Sequence, residues 1–343
     1  MPCLERIVGQ SRVVASLRSQ IALGKVHHAF LFEGPVGVGK ATCAQALAMA
    51  LNCAEPLSGG CGECPSCQKI EAGLHPDLIF VDMTPKGLTE RVRELRSTFG
   101  FTPHEGRARV VVLDPAEALA GQQKEAANVL LKTLEEPPAN TYFVLVTAQP
   151  ERLPITIRSR CQRVRFAPLD TDAIEKLLVA QGQSAADART YAQASQGSLT
   201  HALRASSPEG AETKALMLAL IKAAEHADAI HLTDAAAEVG ADRDRAAEVL
   251  ELLLAELRDA LIVREGLGHN RLSPARISEA RKLADALGKS SAGILGMVDA
   301  TREALESLKG NVAPALTLEH LLFRMVHGGR IPFGRTLERR IPR

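Results

Sequence analysis

The sequence predicts a phosphate-loop α/β domain, a parallel sheet flanked by helices, followed by helical domains. Three observations carry this. β-Branched runs alternate with helical patterns through residue 166, and alternation of that sort builds a parallel sheet covered on both faces. A glycine-rich turn, Gly34-Pro-Val-Gly37-Val-Gly39-Lys40, directly follows the first such run. From Thr171 onward the chain is rich in Ala, Leu and Glu at helical spacing, with almost no strand signal.

Length and composition bound the rest. A chain of 343 residues exceeds one ordinary core, so two or three domains are expected. Hydrophobic residues at 46% and charged residues at 24% argue against wholesale disorder. Forty-one basic against 40 acidic side chains exclude a globally basic nucleic-acid binder and leave a local basic strip open. With 3% aromatics and no Trp, base-stacking platforms are not expected. There is no apolar run of about 18 residues, and Met-Pro-Cys-Leu-Glu-Arg lacks the pattern of a signal peptide, so the expected location is cytoplasmic. Seven cysteines, an odd number, argue against a disulfide framework.

In order, Val13–Leu23 reads as an amphipathic helix, His28–Phe32 as a strand and Lys40–Leu51 as the helix after the glycine turn. A strand at Leu78–Val81, a helix at Thr89–Ser97 and a strong strand at Val110–Leu113 follow. A helix over Gln122–Glu135 is stopped by Pro137-Pro138, because proline cannot continue a helix. Tyr142–Val146 and Arg163–Phe166 complete the strands. Residues to Arg204 make a small helical unit with a Gly197-Ser198 break. After a Ser206-Ser207-Pro208-Glu209-Gly210 linker, five or six helices are expected to Val326, with Ala246, Val249, Leu250, Leu253, Leu257 and Leu261 as the clearest stripe. The expected domains are 1–167, carrying a metal module at 53–67; 168–207; 208–327; and a basic tail at 328–343.

The glycine turn fits the phosphate-loop pattern up to its last position. Gly34, Gly37 and Gly39 let backbone N–H groups curl around a phosphate, and Lys40 reaches its outer oxygens. The Ser or Thr that would hold Mg²⁺ is replaced by Ala41, and Thr42 lies about 100° further around the helix. The strand at 110–113 ends in Asp114, a metal-side carboxylate, but Pro115 stands where a water-polarising Glu is expected; Glu117 is the nearest substitute. ATP or ADP binding and a ligand-free glycine turn both remain open.

Cys53, Cys61, Cys64 and Cys67, with Gly59, Gly60, Gly62 and Pro65 between them, form a four-thiolate set. Four soft ligands on tight turns suit tetrahedral Zn²⁺ with no open position, a structural role; a redox pair and plain buried cysteines are the alternatives.

Together these residues resemble the bacterial DNA polymerase III clamp loader, within the AAA+ superfamily. The resemblance rests on Ile7-Val8-Gly9-Gln10, His28-Ala29-Phe30-Leu31-Phe32, the four cysteines, His75-Pro76-Asp77-Leu78, Asn128 through Leu134-Glu135-Glu136-Pro137-Pro138, and Ser159-Arg160-Cys161. It implies that Val8, Gly9 and Gln10 lie beside an adenine and that Thr147 lies in the first sensor stretch. It also implies that Arg160 is an arginine finger projecting into a neighbouring subunit's ATP site; the plain alternative is a surface ion pair. Ala41, Pro115, Ala148 and Gln149 depart from the motor pattern. So does Thr200, where the motor subunit carries a sensing Arg. Within the family these departures point to the delta-prime kind, which is usually a poor or inactive ATPase, rather than to an active gamma/tau motor. A free-standing nucleotide switch and an inert scaffold are the other readings. The implied partners are gamma/tau and delta subunits, the sliding clamp and primer-template DNA; the run Arg152, Arg158, Arg160, Arg163 and Arg165 offers phosphate contacts, although most such arginines solvate a face or pair with a neighbour.

Overall fold

The computed structural model describes residues 3–55, 59–83, 88–97, 102–120, 124–226, 228–267, 272, 274–286, 290–308, 310 and 312–327. The basic tail expected at 328–343 lies outside the described residues, as do the first residues of the helix expected from Gln122. The chain divides into two compact units, Met1–Leu203 and Arg204–Arg343.

The first unit opens with α1 (Ser11–Ala22), β1 (Ala29–Glu33) and α2 (Lys40–Asn52). Next come α3 (Pro65–Glu71), β2 (Leu78–Asp82), α4 (Leu88–Ser97), β3 (Arg109–Asp114) and α5 (Lys124–Glu135). β4 (Thr141–Thr147), α6 (Ile155–Arg158) and β5 (Gln162–Arg165) complete the α/β part, and α7 (Thr171–Ala180), α8 (Ala185–Ala194) and α9 (Leu199–Ala205) follow. The strands make one parallel sheet in the order β2-β3-β4-β1-β5. Leu31 stands beside Leu145 on one side and Arg163 on the other.

β1 is buried along its whole length, as a central parallel strand covered on both faces must be. Side chains alternate across a strand. Phe30, Phe32, Val110, Val112, Val144 and Val146 therefore join one core, with Leu17, Leu47 and Ile70. Leu31, Val111, Leu113, Phe143 and Leu145 join the core on the other face, with Ala126, Leu130 and Leu134 of α5. Ile174, Leu178, Ala188, Ala192 and Ala202 of α7, α8 and α9 belong to the same core as α2.

The expected strands and helices of this unit appear with ends shifted by one or two residues. The main addition is α3, a two-turn helix within the cysteine segment. Its hydrophobic stripe is too short to announce a helix, yet Pro65 at its first position is a good start signal.

The second unit is helical. It contains α10 (Pro208–His226), α11 (Ala229–Val239), α12 (Arg243–Arg264), α13 (Pro274–Ala286), α14 (Ser291–Leu308) and α15 (Pro314–His327). The expected stripe of α12 faces its core: Ala246, Val249, Leu250, Leu253 and Leu257 are fully buried, while Leu261 is partly so. Inside this unit Arg276 is buried and bonded to Asp259 (2.6 Å) and Glu256 (2.7 Å). Among the described residues, no helix is long and apolar enough to cross a membrane.

Candidate functional site

One helix, α2, joins the two candidate sites. Its N-terminus emerges from the glycine turn, and its C-terminal flank is Cys53.

The glycine turn sits at the C-terminal end of β1, where ligands of open α/β sheets are held. Gly37 and Gly39 have φ of +76° and +91°, conformations that only glycine adopts freely. The turn's lysine and three of its carbonyls are engaged within the chain. Lys40 is 7% exposed, and its Nζ donates to the carbonyls of Gly34 (2.7 Å) and Pro35 (2.5 Å). Burial lowers its pKa, against the opposing pull of Asp114 and Glu117. The Leu199 N–H donates to the Gly37 carbonyl (2.9 Å). A Cβ on Gly37 would lie 2.3 Å from Ser198 Oγ and 2.8 Å from Thr200 N and Oγ1. Thr200, noted in the sequence for lacking an arginine side chain, thus packs on the glycine turn. Gly34 meets the Phe166 carbonyl in the same way, at 2.4 Å.

Of the residues expected beside an adenine, Gln10 braces backbone groups of the chain itself. Gln10 is buried, donates to the carbonyls of Ala167 (2.7 Å) and Val38 (3.3 Å), and accepts from the Ala167 N–H. Gly9 lies against Leu169, and Val8 is partly exposed. At the helix start, Ala41 is half-buried and Thr42 exposed.

Across the turn, burial raises the Asp114 pKa, with Glu117 and Asp82 adding to the rise and Lys40 opposing it. Glu117 Oε1 accepts from the Ala148 N–H (3.4 Å), while its Oε2 is buried without a hydrogen-bond partner. The Thr147 hydroxyl accepts from the Gln149 N–H (3.0 Å) and is fully buried. As a test of fit to a nucleotide, the loop has the right backbone, but Lys40 is engaged by carbonyls, and Ser198 and Thr200 occupy the space against Gly37.

The four sulfurs of Cys53, Cys61, Cys64 and Cys67 lie within 4.8 Å of one another, a donor set that fits a tetrahedral metal ion such as zinc. Backbone N–H groups point at them: Cys61 N to Cys53 Sγ and Cys64 N to Cys61 Sγ, both 3.3 Å. Burial raises the Cys64 pKa, yet N–H groups of Ala54 and Cys67 and the neighbouring thiols outweigh it, leaving a value of about 6. Burial pushes the Cys67 thiol up. Beneath the cluster, His75 accepts from the Asp77 N–H (3.1 Å) and meets Ser66 Oγ (3.0 Å). The fully buried Asp77 carboxylate accepts from the N–H groups of His104, Glu105 and Gly106 at 2.7–2.9 Å. Sequence reading singled out His75-Pro76-Asp77 without assigning it this task.

The arginine run divides. Arg163 and Arg165 both bond the buried Glu33 at the end of β1, at 2.8–2.9 Å. Arg152 donates to Gln149 (3.1 Å), and Arg158 Nε is buried. Arg160, just past α6, donates to the Thr156 carbonyl (2.8 Å) and pairs with Glu135 at the end of α5. Glu33, Glu135 and Ser198 carry site interactions that sequence reasoning missed. Glu135 alone had a signal, a carboxylate in a helix's last turn, where the dipole disfavours it.

Residues 9–170 match the family model described as DNA polymerase III, delta subunit. The delta-prime subunit of Bacillus subtilis DNA polymerase III is 31% identical over 325 residues, 93% of this chain and 97% of that one. The tau subunits of Salmonella typhimurium and Escherichia coli are 40% and 34% identical over 173 and 249 residues, or 50% and 69% of this chain. This chain spans only 26% and 38% of those two relatives' lengths. The chain belongs to the bacterial DNA polymerase III clamp-loader family.

Proposed function

We propose that the chain acts as a delta-prime-type clamp-loader subunit: it hydrolyses little or no ATP itself and offers Arg160 to a neighbouring ATPase subunit. The observation that carries this reading is Lys40. A catalytic phosphate-loop lysine serves the outer phosphates, whereas this one is buried on the carbonyls of Gly34 and Pro35. Ala41 in place of the Mg²⁺-holding hydroxyl and Pro115 in place of the water-polarising Glu agree with it.

In this reading residues 1–167 form the AAA+ domain, 168–207 a lid and 208–327 a collar that packs against gamma/tau and delta subunits. The complex opens the sliding clamp on primer-template DNA in the cytoplasm. Arg160 supplies a planar guanidinium to the charge that builds on a γ-phosphate in the adjacent subunit. Zn²⁺ held by the four cysteines has a structural role, and the chain's own residues leave no open ligand position for catalysis.

A second reading, a gamma/tau-type motor, draws on Glu117, whose unbonded Oε2 lies in the electrostatic field of Lys40 and Asp114. Mg²⁺-dependent ATP turnover by the purified chain, with Lys40→Ala as control, separates the two. The donor reading expects no turnover from folded protein. Turnover abolished by Lys40→Ala would establish the motor.

A further inference from the structure

We infer that Glu135 is a positioning residue for Arg160, holding its guanidinium oriented at the surface before a neighbouring subunit's nucleotide meets it. This inference rests on the arginine-donor reading above.

The backbone on either side of Arg160 is fixed. Its N–H donates to the Ile157 carbonyl (3.1 Å), and Ile157 and Cys161 are buried. Its side chain, 35% exposed, is gripped from two directions. One nitrogen donates to the Thr156 carbonyl within the same turn; the other meets Glu135, on a different helix. A single local bond would let the guanidinium swing, while two acceptors on separate elements set its plane. An arginine side chain has five N–H donors. These two contacts engage two of them and leave the others for an incoming oxyanion.

Glu135 is presented from an anchored helix end. Leu134 is buried in the core beside β1, and its carbonyl is bonded by His28 Nε2 (3.2 Å). Pro137-Pro138 then ends the helix, so α5 cannot extend and carry Glu135 away. Stability alone does not explain a glutamate here. A carboxylate in the last helical turn opposes the helix dipole, Glu136 adds a like charge beside it, and a solvent-exposed ion pair contributes little to folding. Fixing a guanidinium is a task that uses the charge and tolerates those costs.

The test is ATP turnover by the clamp loader reconstituted with this chain as wild type, Glu135→Ala, Glu135→Gln, Glu135→Asp, Arg160→Ala and the Glu135→Ala/Arg160→Ala double variant. Glu135→Ala and Glu135→Gln are expected to lower kcat roughly fivefold, within the range of coupling between contacting residues. KM for ATP should stay the same and Glu135→Asp should recover part of the rate. In the double variant, Glu135→Ala should add nothing to the loss from Arg160→Ala. If Arg160→Ala lowers kcat while Glu135→Ala and Glu135→Gln match wild type, the inference is overturned and the donor reading stands. A Glu135→Ala loss that persists on the Arg160→Ala background also overturns it. If Arg160→Ala itself turns over at the wild-type rate, the donor reading fails first.

Discussion

The two ends of α2 carry two motifs of similar clarity in the sequence and very different standing in the structure. At its C-terminal end four cysteines converge within 4.8 Å, with backbone N–H groups aimed at their sulfurs. At its N-terminal end the glycine turn has the conformations of a cradle, yet its lysine and the carbonyls of Gly34, Pro35 and Gly37 are bonded within the chain. The difference lies in where each motif's partners come from. Cysteine ligands need only one another and an ion, so their spacing nearly determines their geometry. A phosphate loop is a set of donors open to competition, and here two carbonyls of the loop itself take the lysine, while the Leu199 N–H, far along the chain, donates to the Gly37 carbonyl.

The largest effect that would break this contrast is metal removal. Structural zinc contributes apparent binding energies on the order of 10 kcal/mol at neutral pH. Metal analysis of protein purified without chelator is expected to give about one zinc per chain, and chelation is expected to unfold the cysteine module while sparing the helical unit 204–343. Absence of bound metal, or an unchanged melting profile after chelation, would remove the basis for calling the two ends different.

Next in size is Asp77, which accepts three backbone N–H groups beneath the cysteine cluster. Burial raises its pKa, but those N–H groups and Arg109 outweigh it, and the net shift is downward. A carboxylate with a lowered folded pKa adds stability that is complete above the ordinary Asp value near 4 and is lost as pH falls through the lowered one. Asp77→Ala should cost about 3 kcal/mol at neutral pH and flatten the acid limb of a plot of urea midpoint against pH. A variant that keeps the wild-type acid limb would show that Asp77 does not hold this end.

The smallest of these effects sharpens the other end. Gly37→Ala places a Cβ where Ser198 Oγ and Thr200 already lie, at a φ of +76°. It should cost roughly 1–3 kcal/mol and speed amide exchange through α9 as that helix is pushed off the loop. Unchanged exchange there would mean that the 198–200 segment does not close the loop.

Much of the fold was legible because a parallel sheet writes continuous apolar runs, as at Val110–Leu113, and because Pro137-Pro138 marks a helix end without ambiguity. The cysteine ligands were legible for the reason given above. Missing were Lys40 turned onto its own loop and the contacts made across long sequence separations: Glu33 with Arg163 and Arg165, Ser198 against Gly37 and Glu135 against Arg160. Local pattern carries no information on such pairs, since an arginine run looks the same whether its charges meet phosphates or a buried glutamate. The resemblance to clamp loaders supplied Arg160, and the fold supplied its holder.

The most direct test of the central claim is ATP turnover by the reconstituted clamp loader carrying either Arg160→Ala or Lys40→Ala in this chain. The account predicts a large loss of turnover with Arg160→Ala, on the order of a thousandfold at the site it serves, and an unchanged rate with Lys40→Ala. A loss with Lys40→Ala and none with Arg160→Ala would contradict it, placing the chemistry in this chain's own loop.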